Sequence, residues 1–487
     1  MTIRWRDEDP GLPIAFEQCS NGEYDPEPLT PPRIAAEREA RAGIEAAMRR
    51  TGLNRREFLR SASALAICLS AIDGAVSAVN GLDPGLFYPF DPVSRLDNDA
   101  AKAVIGPAEF VFDVQGHLLE YDIDPSTRGD WFWGRQFPQA RCEEEDDPRA
   151  CFATNHFLEE IFIRSDTTMT ALSGLPINPA GSPLSNEVME ETRRLVKALS
   201  GDERIVVNAL VLPQTAAIGS VLDEMTRTAE ENEIAGWKTF THFPAGINWW
   251  LDDHDPDQPQ VGDVFLDHLA AIGTPILFVH KGLANQARYG SPVDIGPAAR
   301  THRDISFVVY HSGFEVARRE GPYTDATANV GVNRLITSVQ GAGIGPGENV
   351  YAELGSTWWH LLRRPDEAAH VIGKLLVAFG EDNMLWGTDS IFYGSPQGQI
   401  EAFRAFQIPE AMQTRFGYPP LTRGAKAKIL GWNAANLFGV EPITEHVGFT
   451  REDLELARAE HPVPTRTWGP RTVDEVRELR AHHRGWP

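Results

Sequence analysis

Basic residues are in short supply: 45 Lys and Arg stand against 69 Asp and Glu in 487 residues, a formal net charge of −24. Nucleic acid and anionic membrane surfaces require a basic footprint, so this balance excludes both as partners and leaves a small-molecule substrate. Cysteine is scarce, with 4 in the chain, which excludes a disulfide-built scaffold. Internal repeats and low-complexity tracts are absent, and no glycine-rich phosphate loop follows the first strand-like run. No apolar stretch reads as long enough to span a bilayer. What is present is apolar mass: 42% hydrophobic residues with 12 Trp and 24 Phe, enough to bury a large core in a soluble globular protein.

The N-terminal region is read separately. Residues 53–78, LNRREFLRSASALAICLSAIDGAVSA, place Arg55 and Arg56 before Phe58 and Leu59, then a modest apolar run and a small-residue VSA segment. The pattern resembles a twin-arginine export signal, a receptor-read address that lies outside the fold. It implies an exported or periplasmic protein, with the twin-arginine translocation machinery as a partner. An ordinary amphipathic helix in a cytoplasmic protein is the alternative, favoured by the long leader and by Asp73 near the end of the apolar run. On the export reading, residues 1–78 are leader and 79–108 linker, and Cys19 and Cys68 leave with the signal. Cys142 and Cys151 remain, flanking the acidic EEEDDPRA; outside the cytoplasm they read as a disulfide, inside it as thiols.

From Glu109 onward, strand-like runs alternate with helical patterns. The runs are EFVFDVQGH at 109, FLEEIFIRSDT at 157, RIVVNALVLP at 204, IAGWKTFTHF at 234, PILFVHKG at 275, ISFVVYHSG at 305, NVYAELGST at 349 and NMLWGTDS at 383. NEVMEETRRLVKALS, GSVLDEMTRTAEENE, VGDVFLDHLAAIG and PDEAAHVIGKLLVAFG are helical in pattern and lie between them. Repeated strand–helix units of this number predict an α/β fold, a (β/α)8 TIM barrel over residues 109–440, rather than a doubly wound open sheet. Residues 441–487, with FTREDLELARAEH and TVDEVRELRAHH around PVPTRTWGP, read as a helical extension wrapping the barrel or a neighbouring subunit of a homo-oligomer.

Polar residues gather where the apolar runs end. Gln115 and His117 project together from the first run, since residues two apart in a strand share a face. His280 ends the fifth run, His311 the sixth, Glu353 the seventh and Asp389 the eighth. Barrel strands deliver their C-terminal residues into one mouth, so these side chains are expected to converge there.

These motifs resemble the amidohydrolase superfamily, in particular its amidohydrolase-related (amidohydrolase 2) branch, which includes hydrolases and aminocarboxymuconate-semialdehyde decarboxylase-like enzymes. By that resemblance His117 in DVQGH, His280 in FVHKG and Asp389 in LWGTDS are metal ligands, His311 in VVYHSG is the sixth-strand catalytic histidine, and GWNAANLFGV at 431–440 is the closing helix. One departure stands out. Gln115 occupies the place of the branch's first histidine, and its amide oxygen is a neutral, weaker ligand; it contacts the metal, holds a water, or orients His117.

Two imidazoles and a carboxylate with open positions suit zinc first, then manganese or iron. With Asp389 as proton carrier and His311 as electrophile or acid, the set reads as hydrolysis of a small amide, ester or lactone by metal-activated water. A carboxy-lyase for an aromatic or unsaturated acid uses the same residues and is the alternative; a barrel that has lost catalysis is the third reading. Lys238, at the end of the fourth run, reads as a contact for a substrate carboxylate, as a structural ion pair or as a bridging lysine, and Glu353 as a substrate or supporting contact. The clusters WFW at 131, NWW at 248 and TWW at 357, with Trp249 and Trp358 among them, line an aromatic pocket or pack loops and subunits.

Overall fold

A computed structural model describes residues 11–16, 19–24, 26–107, 110–121, 148–175, 183–242, 248–283, 288–445, 447–460 and 468. Its centre is a parallel sheet in strand order β1 to β8: Phe112–Gly116, Met169–Ser173, Ile205–Leu210, Gly236–Phe240, Ile276–His280, Ser306–Tyr310, Val350–Glu353 and Met384–Leu385. The barrel comes close to closure between β8 and β1, where Val114 N donates to Trp386 O (3.0 Å) and His117 N to Ser390 O (2.6 Å). The helical patterns form Asn186–Ser200, Ile218–Glu231, Gly262–Ala271 and Pro365–Phe379 between strands.

Seven of the eight expected runs contain their strand; the second does not. Phe157, Leu158, Ile161 and Phe162 are all buried, a spacing of one, three and one that puts them on one face of a helix. The chain accordingly forms a helix at Thr154–Leu158 and a π-helical turn at Glu159–Ile163. The strand that takes second place, Met169–Ser173, is buried at every position yet carries two hydroxyls and an alanine, so its apolar signal is weak.

Side chains fill the barrel. Phe112, Val114, Met169, Ala171, Phe278, Val308 and Tyr310 form one cluster, and helix Asn433–Phe438 caps it, with Phe438 stacked on Phe112 (5.3 Å) and Phe278 (5.7 Å). This is the closing helix expected from GWNAANLFGV. In the tail, helix Arg451–Glu460 returns to the barrel, where Arg451 Nε donates to Glu159 Oε1 (2.8 Å); the second tail pattern falls outside the described residues.

The N-terminal region packs into the same body. Helices Pro31–Thr51 and Ala62–Asn80 lie together, brought close at Gly43, where a Cβ would stand 2.8 Å from Ile67 Cγ2. By length and composition Ala62–Asn80 is apolar enough to cross a membrane, which corrects the expectation that no stretch is, and 61% of its most apolar window is buried inside the protein. Asp73, inside that helix, is fully buried: its carboxylate accepts from Ser77 Oγ and from the backbone N–H groups of Gly85, Phe87 and Tyr88 at 2.8–3.1 Å. Upstream, residues 11–16 and 19–24 form a strap at the C-terminal end of the barrel, burying Leu12, Ile14, Phe16 and Tyr24. Cys151 is disulfide-bonded; Cys142, its expected partner, lies outside the described residues.

Candidate functional site

β1 brings the first pair. Its register slips between Asp113 and Gly116, and the Asp113 carboxylate holds the bend by accepting from Gln115 N (3.0 Å), Thr388 N (3.0 Å) and Thr388 Oγ1. Asp113 therefore ties β1 to the segment after β8 and sets Gln115 beside Asp389. Gln115 Nε2 donates to Asp389 Oδ1 (3.1 Å), while its Oε1 has no hydrogen-bond partner. His117 donates from Nδ1 to Ser173 O (2.7 Å), which leaves Nε2 bearing a lone pair 3.5 Å from Asp389 Oδ1.

His280 and His311 form the other half, ring centroids 4.6 Å apart. His311 is held by two contacts: Nδ1 donates to Gly355 O (2.7 Å), and its backbone N donates to Glu353 Oε2 (2.9 Å). Glu353 Oε1 also accepts from Gly355 N (2.5 Å). Glu353 is thus a support for the His311 backbone and for the 353–355 turn. A Cβ at Gly355 would collide with both Gln115 and Glu353, and one at Gly387 with Glu353, which is why both positions are glycine. His280 is buried and neither ring nitrogen makes a hydrogen bond. His311, Ser312, Ser356 and Asp389 all have φ between 51° and 64°, left-handed conformations that cluster where side chains are held for function.

Lys238 stands between the halves. It is fully buried, its Nζ is 3.4 Å from the centre of the Tyr310 ring and 4.5 Å from that of Phe240, and it makes no hydrogen bond. Burial drives its amine well below the ordinary lysine value, with Glu353, Glu23 and Asp389 pulling the other way.

The strap contributes residues that sequence reasoning missed. Asn21 Nδ2 donates to Asp389 Oδ2 (2.8 Å) and to Glu23 Oε1 (2.8 Å). Glu23 Oε2 lies 2.7 Å from His280 Nε2. Ser356 Oγ donates to Asp389 Oδ2 (2.5 Å) and lies 2.6 Å from Tyr393 Oη, which is 3.0 Å from Tyr24 Oη; Tyr24 Oη reaches Cys19 O at 3.1 Å. The fragment CSNGEY at 19–24 carries no spacing that announces such a role. His242, just past β4, is a further missed neighbour, its ring 5.0 Å from that of His280.

The structure therefore brings Gln115, His117, Lys238, His280, His311, Glu353 and Asp389 into one mouth, in two groups linked by Gln115 Nε2, which lies 3.1 Å from Asp389 Oδ1 and 3.5 Å from His311 Nε2. It does not bring in the tryptophans. Trp249 is buried against Phe265 and donates to Phe240 O; Trp358 packs on Phe403 and Phe406 and donates to Gln399 O. Both are core residues, because their indole N–H groups are spent on backbone carbonyls. Trp131 to Trp133 lie outside the described residues. The surface clefts beside Lys102 and Arg423, and beside Trp250 and Arg334, lie elsewhere.

Burial sets the protonation states. It pushes Asp113 up to about 7, Glu353 up to about 8 and Asp389 up to about 7, the last with help from the Glu23 charge. It pushes His117 down to about 3 and His280 and His311 well below the ordinary imidazole value. Each of these carboxyls holds its proton more tightly folded than unfolded, so stability falls as pH rises from the ordinary carboxylate range through about 8. The histidines act in the opposite sense, but only below their ordinary value of 6.5. Above roughly pH 6.5 the raised carboxyls are opposed by Lys238, whose lowered amine gives stability that grows as pH rises towards the ordinary lysine value. A divalent cation, which neutralises the ionised carboxyls, is expected to raise the melting temperature of chelator-treated protein more at about pH 8 than at about pH 6.5, in parallel melts.

A family model described as Amidohydrolase matches residues 185–440. No curated protein matches the chain. Among solved structures, the chain is similar to a 2,6-dihydroxybenzoate decarboxylase from Rhizobium at 12% identity, over 68% of this chain and 99% of that one, with a TM-score of 0.39. A 5-carboxyvanillate decarboxylase from Novosphingobium aromaticivorans, complexed with manganese and 4-hydroxy-3-methoxy-5-nitrobenzoic acid, aligns at 14% identity over 68% and 96%, TM-score 0.44. A putative 2-pyrone-4,6-dicarboxylic acid hydrolase from Pseudomonas putida aligns at 15% over 69% and 98%, TM-score 0.37. Likenesses this remote carry no argument about chemistry.

Proposed function

The chain belongs to the amidohydrolase family, and from that premise we propose that it is a metal-dependent carboxy-lyase, removing carbon dioxide from an aromatic or unsaturated carboxylic acid. The observation that carries the choice over hydrolysis of a small amide, ester or lactone is Lys238. A fully buried amine with no hydrogen-bond acceptor is costly, and an anionic substrate supplies what it lacks: a carboxylate that accepts from Nζ and restores its ammonium form. A neutral amide or ester offers only a weak acceptor and leaves the charge of that ammonium unbalanced.

His117, His280, Asp389 and the carbonyl oxygen of Gln115 are the residues that would hold a divalent ion. The fit lies in their orphaned atoms: the lone pair on His117 Nε2, both nitrogens of His280, and Gln115 Oε1. Zinc and manganese both suit imidazole with carboxylate. Such an ion, when bound, draws electron density from the oxygens of the substrate.

The residues divide the remaining work. Lys238 anchors the acid. Asp389, whose carboxyl burial pushes up to about 7 before an ion binds, is the proton carrier: in its protonated form it gives the proton to the carbon as the C–C bond breaks; R–CO2− and H+ become R–H and CO2. His311 is the wrong donor for that step, because its one ring proton is committed to Gly355 O and burial keeps it neutral. It acts through the lone pair on Nε2, as a ligand or an acceptor.

Isotopes separate the two chemistries. On a panel of aromatic and unsaturated acids beside lactones and amides, turnover is expected to release carbon dioxide, to place deuterium on the product carbon in heavy water, and to take no label from oxygen-18 water. One oxygen-18 per product without carbon dioxide would make the enzyme a hydrolase.

A further inference from the structure

We propose that Glu23, carried into the barrel mouth by the N-terminal strap, is a carboxylate ligand of the metal site and supplies the negative charge that Gln115 lacks. This rests on the metal dependence proposed above. A Glu23 oxygen and nitrogens of His280 and His311 all lie within 4.8 Å of one another. Their chemistry is that of ligands facing one another. The one ring proton of His311 is used on Gly355 O, so Nε2 offers a lone pair. His280 is almost wholly buried, and its Nε2 stands 2.7 Å from Glu23 Oε2 without forming a hydrogen bond. A His311 lone pair, a His280 ring whose proton no hydrogen bond fixes to either nitrogen, and a carboxylate brought together in a buried mouth make a donor set that a cation fills.

Charge points the same way. Of the ligands the sequence motifs supply, His117, His280 and Gln115 are neutral, and Asp389 brings a negative charge that it lacks while it holds the proton it transfers. A divalent ion held by that set would keep a net positive charge in a buried site, at a high desolvation cost. Glu23 adds a second carboxylate, so the ion keeps an anionic ligand while Asp389 holds its proton.

The rest of the chain is shaped to hold Glu23 there. Asn21 fixes its carboxylate from Nδ2 (2.8 Å) and its backbone N–H through Oδ1 (3.0 Å), while also reaching Asp389. Arg363 Nη1 donates to Ala15 O (3.0 Å), and Gly398 is a position where a Cβ would strike Pro13 O. The body of the protein therefore presents a side chain and a glycine gap to the strap on both sides of its path. Glu23 acts at the metal only while this segment remains attached, so the working form of the enzyme keeps residues 11–24.

The test measures metal rather than turnover. Full-length wild type, Glu23→Gln, Gln115→Glu and the double variant are stripped, reloaded with zinc or manganese, and titrated against a chelator of known affinity; melts of the stripped forms check folding. Glu23→Gln is expected to weaken metal binding about 100-fold or more, the upper end of what changes outside the ligand set already cost. Gln115→Glu in the Glu23→Gln background is expected to recover most of that loss, because it returns the missing charge to the same site. Wild-type affinity in Glu23→Gln, with the wild type loaded, overturns the role of Glu23 and leaves the carboxy-lyase reading standing. A wild type that takes up neither metal overturns both.

Discussion

A chain beginning at Thr30 is expected to hold no metal and to lose the cooperative melting transition of the full protein. Leu12, Ile14, Phe16 and Tyr24 are 6%, 3%, 1% and 3% exposed. Burying each side chain of this size contributes roughly 1.5–3 kcal/mol, or about 6–12 kcal/mol for the four, against a typical total stability of about 5–15 kcal/mol. The deletion also removes Glu27, which faces Arg33 at 3.0 Å, His360 at 3.4 Å and Arg364 at 3.7 Å and is held well below the ordinary carboxylate range by His360 and Arg364. Its loss leaves the half-buried Arg33 without that carboxylate and Arg364 with Glu367 at 3.6 Å as its remaining acid, and removing one partner is the costly way to break an ion pair. A chain beginning at Val79 loses more, since helix Ala62–Asn80 and the Asp73 hydrogen bonds go with it. Thermal melts and limited proteolysis of the two truncations check this, and a synthetic peptide of residues 11–29 added in trans is expected to restore part of the transition. The intact mass of the native protein should place its N-terminus before Leu12. A native enzyme starting near Val79 and holding its metal would defeat the argument. Twin-arginine transport moves folded proteins, so export is compatible with this only when the strap travels and stays attached.

The barrel was legible because burial on both faces of a parallel strand leaves an apolar run, and seven such runs stand out. The second was misread for a physical reason: Phe157, Leu158, Ile161 and Phe162 make an equally apolar stretch with helical spacing, while Met169–Ser173 gains its burial from its place in the sheet. The convergence of side chains was legible where polar residues coincide with a strand end, as at His117, His280, His311 and Asp389. Asp113 was hidden because it looks like any acid beside a strand, although it ties β1 to Thr388. Trp249 and Trp358 misled because paired tryptophans read equally as pocket wall or as core. The strap was invisible for a different reason. Its side chains reach Asp389 and His280 across more than 250 residues of sequence, and no local pattern encodes a contact of that separation. A twin arginine before an apolar helix then gave a reason to discard the whole segment, whereas Asp73 was the local clue to keep it.

Asp389→Asn is expected to lower kcat by about 10²–10⁴-fold, the usual share of a positioned proton donor. The carboxyl is suited to the task by its surroundings. Gln115 Nε2 donates to Oδ1, and Asn21 Nδ2 and Ser356 Oγ meet at Oδ2. Ser356 can reverse: with Tyr393 Oη at 2.6 Å to take its hydrogen, it accepts the proton of a neutral Asp389 as readily as it donates to an ionised one. Tyr393 and Tyr24 turn with it, ending at Cys19 O, so the carboxyl changes charge without leaving a buried hydroxyl unpaired. An asparagine keeps the shape and carries no transferable proton. Burial alone sets the Asp389 carboxyl at about 7 and a bound cation lowers it from there, so the decline of wild-type kcat with rising pH is expected to begin below that pH, and the residual rate of Asp389→Asn to lack that limb. Ser356→Ala, which keeps the acid but removes its reversible partner, is expected to shift the limb and to cost far less in kcat. Metal content measured beside each profile separates loss of the ion from loss of the proton. An Asp389→Asn enzyme with its metal in place and the wild-type profile would assign the proton to another group, and Glu353, pushed up to about 8, and the buried amine of Lys238 are then the next to examine.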